Sequence, residues 1–195
     1  MSVLSDRSIR HLAKSRQMIT PFADGERRPR TLSYGLSSAG YDARLRSDEL
    51  LLLDAPLGHR VDPKDVATIK EHAKPLPLNS DEHGAAFFVI PPHGFALGCT
   101  VEHFRIPDDV VGQCVGKSTY ARCGLIVNVT PLEPGWEGYL TLELHNTTQH
   151  AIKVYPDEGI CQIVFSQMDA RPEVTYADKK GKYQNQVGVT LPIVN

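Results

Sequence analysis

From residue 87 onward the chain breaks into short apolar runs separated by Pro, Gly and Asp. FFVI, FALGCTVEHF, VVGQCV, GLIVNV, GYLTLELHN, AIKVY and ICQIVFSQM are rich in β-branched, aromatic and aliphatic residues. Pro91-Pro92, Pro107-Asp108-Asp109 and Pro134-Gly135 punctuate them. Runs of this length and spacing predict strands joined by turns. They fit a jelly roll, sandwich or small distorted β-barrel better than alternating β-α-β winding. The expected class is therefore mainly β with a few short helices. In GYLTLELHN, Leu140, Leu142 and Leu144 alternate with Thr141, Glu143 and His145, so the two sets occupy opposite faces of one strand.

The first 86 residues read differently. Ser5 or Asp6 can cap a helix that carries Ile9, Leu12 and Ala13 on one face, with Met18-Ile19-Thr20-Pro21 as its stop. DPKDVATIKEH predicts a second helix start, with Asp62 as N-cap, Pro63 at the first helical position and Asp65 in the first turn. Pro, Gly and charge dominate positions 20–40 and 54–84, which read as loops or insertions. The polar stretch from Ala177 reads as a mobile tail or flap. No repeat or low-complexity tract divides the chain, so residues 1–195 are expected to form one domain, with 177–195 as its C-terminal flap.

Composition narrows the function classes. A 195-residue chain with 41% hydrophobic and 23% charged residues suits a globular domain with a sizeable core. A formal charge of −2 argues against a general nucleic-acid binder. The 4 cysteines form no C-x-x-C pair and read as free thiols of a reducing compartment. The N-terminus carries charge where a signal peptide would need an apolar core, and no run is long enough to span a bilayer. A cytoplasmic protein with no membrane partner is expected.

The stretch VGQCVGKSTYARCGL contains the Gly-Lys-Ser that closes a phosphate-binding P-loop. That loop needs a second glycine five positions before the first of these letters, and Val111 stands there. The run also returns to strand-like LIVNV instead of feeding a long helix, so the ATPase reading fails. Ser118 can instead cap a single turn, Thr119 to Arg122, that Gly124 ends in the left-handed conformation. Lys117 and Arg122 flank this turn. It either binds an anion or is a solvated structural turn. Neither H-x-E nor P-C-x-x-C is present, so a zinc deaminase site is not expected. G-x-S-x-G is absent too. Glu143 is either a solvated mid-strand residue or a general base lining a polar cavity. The tail YADKKGKYQNQVG is either solubilising or a flap whose cations and amides close over a phosphorylated ligand.

GKSTYARCGLIVNVTPLEPGWEGYLTLELHN, followed by EGICQIVF and GKYQNQ, resembles the dCTP deaminases of the trimeric dUTPase superfamily. SYGLSSAGYDARL and FALGCTVEHFRIP are similar as well, and only about 54–84 carries no matching motif. The resemblance implies a distorted β-barrel or jelly roll of the dUTPase-like β-clip type, assembled as a homotrimer with active sites between subunits. It implies zinc-independent deamination of dCTP to dUTP, with Mg²⁺ arriving on the triphosphate and dTTP as feedback inhibitor. Glu143 would be the general acid/base, and Ser118 and Arg122 would position it and the attacking water, with backbone near Thr130-Pro131. Lys117, Ser118, Thr119, Tyr120, Ala121 and Arg122 would contact the nucleotide. Thr141 and Leu142 would lie along base and sugar, Gln162 would read the nucleotide, and Tyr176, Lys182 and Gln186 would reach the phosphates from the flap. Bifunctional relatives also cleave dUTP, usually with an Asp where Glu133 stands in TPLEPGW, so deamination alone is expected. The alternatives are a bifunctional enzyme giving dUMP, a dUTPase, and a non-catalytic nucleotide-sensing barrel.

Overall fold

Every apolar run named above forms a strand. The computed structural model describes residues 2–194. In chain order its elements are β1 (Ser2–Val3), α1 (Asp6–Arg16), β2 (Ile19–Thr20), β3 (Gly35–Ser37), β4 (Gly40–Leu53), α2 (Val66–His72), β5 (Ala73–Pro75) and β6 (Asn79–Ser80). There follow β7 (Ala86–Ile90), β8 (Phe95–Arg105), β9 (Val110–Gly116), α3 (Ser118–Arg122), β10 (Leu125–Asn128), β11 (Glu137–Asn146), β12 (Ile152–Val154) and β13 (Gly159–Gln167).

Ten strands share one sheet in the order β1-β13-β4-β8-β11-β10, with β2 on β8, β3 and β5 on β4, and β9 on β13. A smaller sheet runs β12-β7-β6. The large sheet curls into a half-barrel because β4 changes partner along its length. Its first half pairs with β13 and its second half with β8 and β5, and the register slips between Leu45 and Leu50. An extra residue at such a slip bends the strand and increases its twist.

The concave side is the core. Leu142 and Leu144 of β11 meet Phe104, Phe165, Tyr41 and Ile163 there, all fully buried. α1 adds Ile9 and Ala13 from its apolar stripe. Each fully buried large aliphatic or aromatic side chain contributes roughly 1.5–3 kcal/mol relative to exposure.

Two local expectations need correction. The second helix starts at Val66 and is capped by Asp65, whose carboxylate accepts from Thr68 N at 3.1 Å. Asp62 instead closes the preceding turn, accepting from Lys64 N. α1 stops before Met18-Ile19-Thr20-Pro21 as expected, at Gln17 in the left-handed region (φ 53), and Ile19–Thr20 then pairs with β8. Positions 20–40, read as loop, hold β3, and 54–84 hold β5 and β6 beside the expected second helix α2, while the longest strand, β4, lies outside the apolar runs named above.

The tail is docked on its own chain. Trp136 Nε1 donates to Tyr183 O at 2.9 Å, Asn185 N to Glu137 O at 2.8 Å, and Tyr139 N to Gln186 O at 2.9 Å. These bonds extend the start of β11 with a strand-like segment.

Candidate active site

The convex face of the sheet carries Glu143. Its neighbours follow from register: Leu51 of β4 lies opposite Leu97 of β8, Leu97 opposite Glu143, and Glu143 opposite Asn128 of β10. The next row on this face contains Phe95, His145 and Ile126. Glu143 is therefore a carboxylate flanked by the aliphatic Leu97 on one side and the amide of Asn128 on the other. Leu97 is buried and Glu143 half-buried.

Two effects act on that carboxyl. Burial raises its pKa above the ordinary glutamate value, and a hydrogen bond from Asn128 Nδ2 to Oε2 (3.1 Å) opposes the rise. Among the described residues no other side chain or backbone donor reaches the carboxylate, so Oε1 is free to handle a proton.

Thr141, two positions before Glu143 on the same face, is buried under the tail. Its hydroxyl accepts from Thr190 N at 3.1 Å and meets Gln186 Oε1 at 3.3 Å. The structure thus joins Thr141 to Gln186 on the strand face that carries Glu143. Leu142 points the other way, into the core, and can offer a ligand only its backbone.

α3 begins where β9 ends. Ser118 is its first residue, and Lys117, not Ser118, occupies the N-cap position without a side-chain capping bond. The Ser118 hydroxyl is consequently not spent on the helix. Gly124 leaves the turn with φ +85, the left-handed exit expected of it. Ser118, Thr119, Ala121 and Arg122 are exposed, whereas Tyr120 is buried and its hydroxyl accepts from Tyr155 N. Arg122 donates to Ser118 O at 3.2 Å, and no hydrogen bond or ion pair links Ser118 or Arg122 to Glu143 within the chain.

Lys117 departs from an exposed cation. It is buried, with Nζ 2.6 Å from Asp42 Oδ2 and 3.2 Å from Ser33 Oγ. Asp42 Oδ1 takes Gln162 Nε2 at 3.2 Å, and the same amide donates to Ser37 Oγ at 3.0 Å. This network borders a polar cleft of about 360 Å³ that Arg10, Arg27 and Tyr34 also line. Sequence reasoning missed Asn128, Asp42, Ser33 and Ser37. GYDARL showed the Asp, but nothing local announced its lysine partner 75 residues away.

The turn between β10 and β11 is built by its own letters. Trp136 N bonds to Glu133 O, with Pro134 and Gly135 (φ +79) at the two central positions, the residue choice of a type II turn. Leu132 pairs with Gly112 of β9 through two backbone bonds and anchors it, while Thr130 and Pro131 remain exposed. Glu133 is 3.5 Å from Lys179 of the tail. Tyr176 OH accepts from Tyr183 N, and Lys182 Nζ donates to Ile193 O.

Comparison with known proteins shows the family. The family model described as dCTP deaminase-like matches residues 3–168. The chain belongs to this family. It is 52% identical over 195 residues to a dCTP deaminase of Erythrobacter litoralis, covering 98% of this chain and 99% of that one. It is 48% identical over 192 residues to a dCTP deaminase of Herpetosiphon aurantiacus, with 98% and 99% covered. The crystal structure of 2'-deoxycytidine 5'-triphosphate deaminase from Agrobacterium tumefaciens superposes with a TM-score of 0.58 at 21% identity. That match covers 84% of this chain and 47% of the solved one, and it shows a shared, mainly β fold. No helix among the described residues is long and apolar enough to cross a membrane.

Proposed function

We propose that this protein hydrolyses the exocyclic amine of dCTP, giving dUTP and ammonia for thymidylate synthesis. The observation that carries the reading is Glu143: a half-buried carboxylate beside Leu97, with one oxygen anchored by Asn128 and the other without a donor among the described residues. Water attacks C4 of the cytosine as Glu143 Oε1 takes its proton. That proton passes to ring N3, the C4–N4 bond breaks, and the amine leaves as ammonia after accepting the hydroxyl proton through the same carboxylate. The net reaction is dCTP plus water to dUTP plus ammonia.

Ser118 and Arg122 position the water and the carboxylate from a neighbouring copy in a homotrimer. Their exposure, and the missing link to Glu143 in one chain, support a site between subunits. Thr141 and the Leu142 backbone flank base and sugar, Gln162 reads the nucleotide, and the 117–122 segment with Tyr176, Lys182 and Gln186 holds the phosphates. Lys117 takes part by sharing its ammonium between Asp42 and phosphate. dTTP, with the same sugar and triphosphate, competes for this site. The sequence lacks zinc-deaminase ligands, and Mg²⁺ enters as part of the substrate. Free Cys99, Cys114, Cys123 and Cys161 suit the cytoplasm.

The test incubates the purified protein with dCTP and Mg²⁺ and resolves the products. Accumulating dUTP with equimolar ammonia supports the reading. Formation of dUMP and pyrophosphate shifts it to a bifunctional enzyme, which Glu133 in place of the usual Asp disfavours. No turnover of dCTP refutes it. A chelator is expected to slow turnover until Mg²⁺ is restored, with Zn²⁺ unable to substitute. Full activity in excess chelator would remove the Mg²⁺ claim.

A further inference from the structure

We propose that Asn128 is a positioning residue for the deamination, orienting Glu143 and keeping one of its oxygens engaged so that the other receives the proton. The proposal rests on Glu143 being the general base. Three features of the chain support it.

The pairing is imposed by the fold. Asn128 and Glu143 are directly opposite in the β10–β11 ladder, and Leu125↔Asn146, Ile126↔His145 and Val127↔Leu144 lock the register. Val127 and Leu144 are buried, so a slip of one residue would turn both out of the core. The amide is thus delivered to the carboxylate by strand pairing.

The contact is with one oxygen. Nδ2 donates to Oε2 at 3.1 Å, and among the described residues nothing donates to Oε1. A carboxylate held at one oxygen keeps its plane while the other stays available to water. A neutral amide does this without titrating and without competing for the proton.

The surroundings offer no substitute. On the same face, β8 contributes Phe95, Leu97 and Cys99, β11 contributes Thr141 and His145, and β10 contributes Ile126. The titratable ones are Cys99, whose thiol burial pushes up to about 11, and His145, which packs edge-on against Phe95. Neither bonds to Glu143. A hydrogen bond to the charged form favours that form, so removing the amide leaves burial unopposed and the base more readily protonated.

The experiment compares wild type with Asn128→Ala, Asn128→Asp and Asn128→His. Steady-state kinetics across pH are combined with direct titration of the Glu143 carboxyl by ¹³C NMR in ligand-free protein. In Asn128→Ala the titration midpoint is expected to rise by about one pH unit, the scale of one charge-assisted hydrogen bond. The acid limb of kcat/KM should follow it. At neutral pH kcat is expected to fall about 10²-fold, the scale of a misplaced catalytic group, with KM within about threefold. Asn128→Asp should shift the limb further, through like charge, and Asn128→His, which retains a donor, should recover part of kcat. An unmoved Glu143 midpoint in Asn128→Ala overturns the proposal, as does a loss in which KM rises and kcat holds. If Asn128→Ala does not fold, the Asn128→Asp and Asn128→His profiles decide alone, and identical limbs overturn it. A wild type that folds and binds dCTP but releases no ammonia overturns the reading of Glu143 and the proposal with it. A wild type that is active while the variants share its pH profile overturns the proposal alone.

Discussion

Replacing Glu143 with Gln is expected to lower ammonia release from dCTP by about 10²–10⁴-fold, the range attributable to one general acid/base group. Binding of dCTP should change only a few-fold. The substitution suits this site because the amide oxygen can still accept from Asn128 Nδ2, so the row Leu97–Glu143–Asn128 keeps its packing and register. What disappears is the capacity to take a proton from water and return it. Loss of kcat with retained Kd is the signature of a group that acts in the transition state. The wild-type pH profile should carry the same mark. Burial raises the Glu143 pKa, and Asn128 only opposes that rise, so the reactive carboxylate is lost as pH falls through a value above the ordinary glutamate. Activity should therefore decline on the acid side at a higher pH than an exposed glutamate would set. A Gln variant within tenfold of an active wild type would remove Glu143 from the chemistry.

The parts of the molecule legible in the sequence are those whose physics is local. Strands β7 to β13 announce themselves because period-two burial and Pro/Gly turns are written within ten residues of each other. The face of Glu143 followed from the same alternation, since the burial of Leu140, Leu142 and Leu144 fixes where the intervening residues go. β4 was illegible for the opposite reason. Its middle, Arg46-Ser47-Asp48-Glu49, lies at the register slip, where ladder pairing with β8 is interrupted and polar side chains are tolerated. Asp62 and Asp65 both satisfy the composition of an N-cap, and only the closed turn before the helix decides between them. Lys117 reads as a solvated cation until Asp42 and Ser33 arrive from another strand. Asn128 reads as one polar residue in LIVNV, and its partnership with Glu143 exists only once β10 and β11 are in register.

The second large effect concerns stability. Glu102 is fully buried in β8, where its carboxylate accepts from Arg44 N at 2.9 Å, Arg44 Nε at 2.8 Å and Tyr41 OH at 3.3 Å. Arg44 in turn stacks on the Tyr34 ring, 4.7 Å from its centroid. Burial pushes the Glu102 pKa up, and the hydrogen bonds from Arg44 oppose that rise. Glu102→Ala removes the acceptor for three donors and leaves a mostly buried guanidinium without a counter-charge. Breaking such a pair costs about 3–5 kcal/mol. The measurement is the urea midpoint, which should fall at unchanged m-value. Glu102→Gln keeps one acceptor oxygen but turns an NH₂ group toward another donor, so about 1–3 kcal/mol is expected. The double substitution Glu102→Leu with Arg44→Leu should regain much of the Ala loss, because it removes the orphaned charge together with its partner. Measured beside the single substitutions Glu102→Leu and Arg44→Leu, additive losses would show that the two residues are not coupled, and a Glu102→Ala variant within about 1 kcal/mol of wild type would show that water reaches this site. A confirmed large loss would tie the ladder from β8 to β4 to this pair. Two residues before Arg44 on β4, Asp42 holds Lys117 and Gln162, so a loosened β4 would also disturb the nucleotide side of the site.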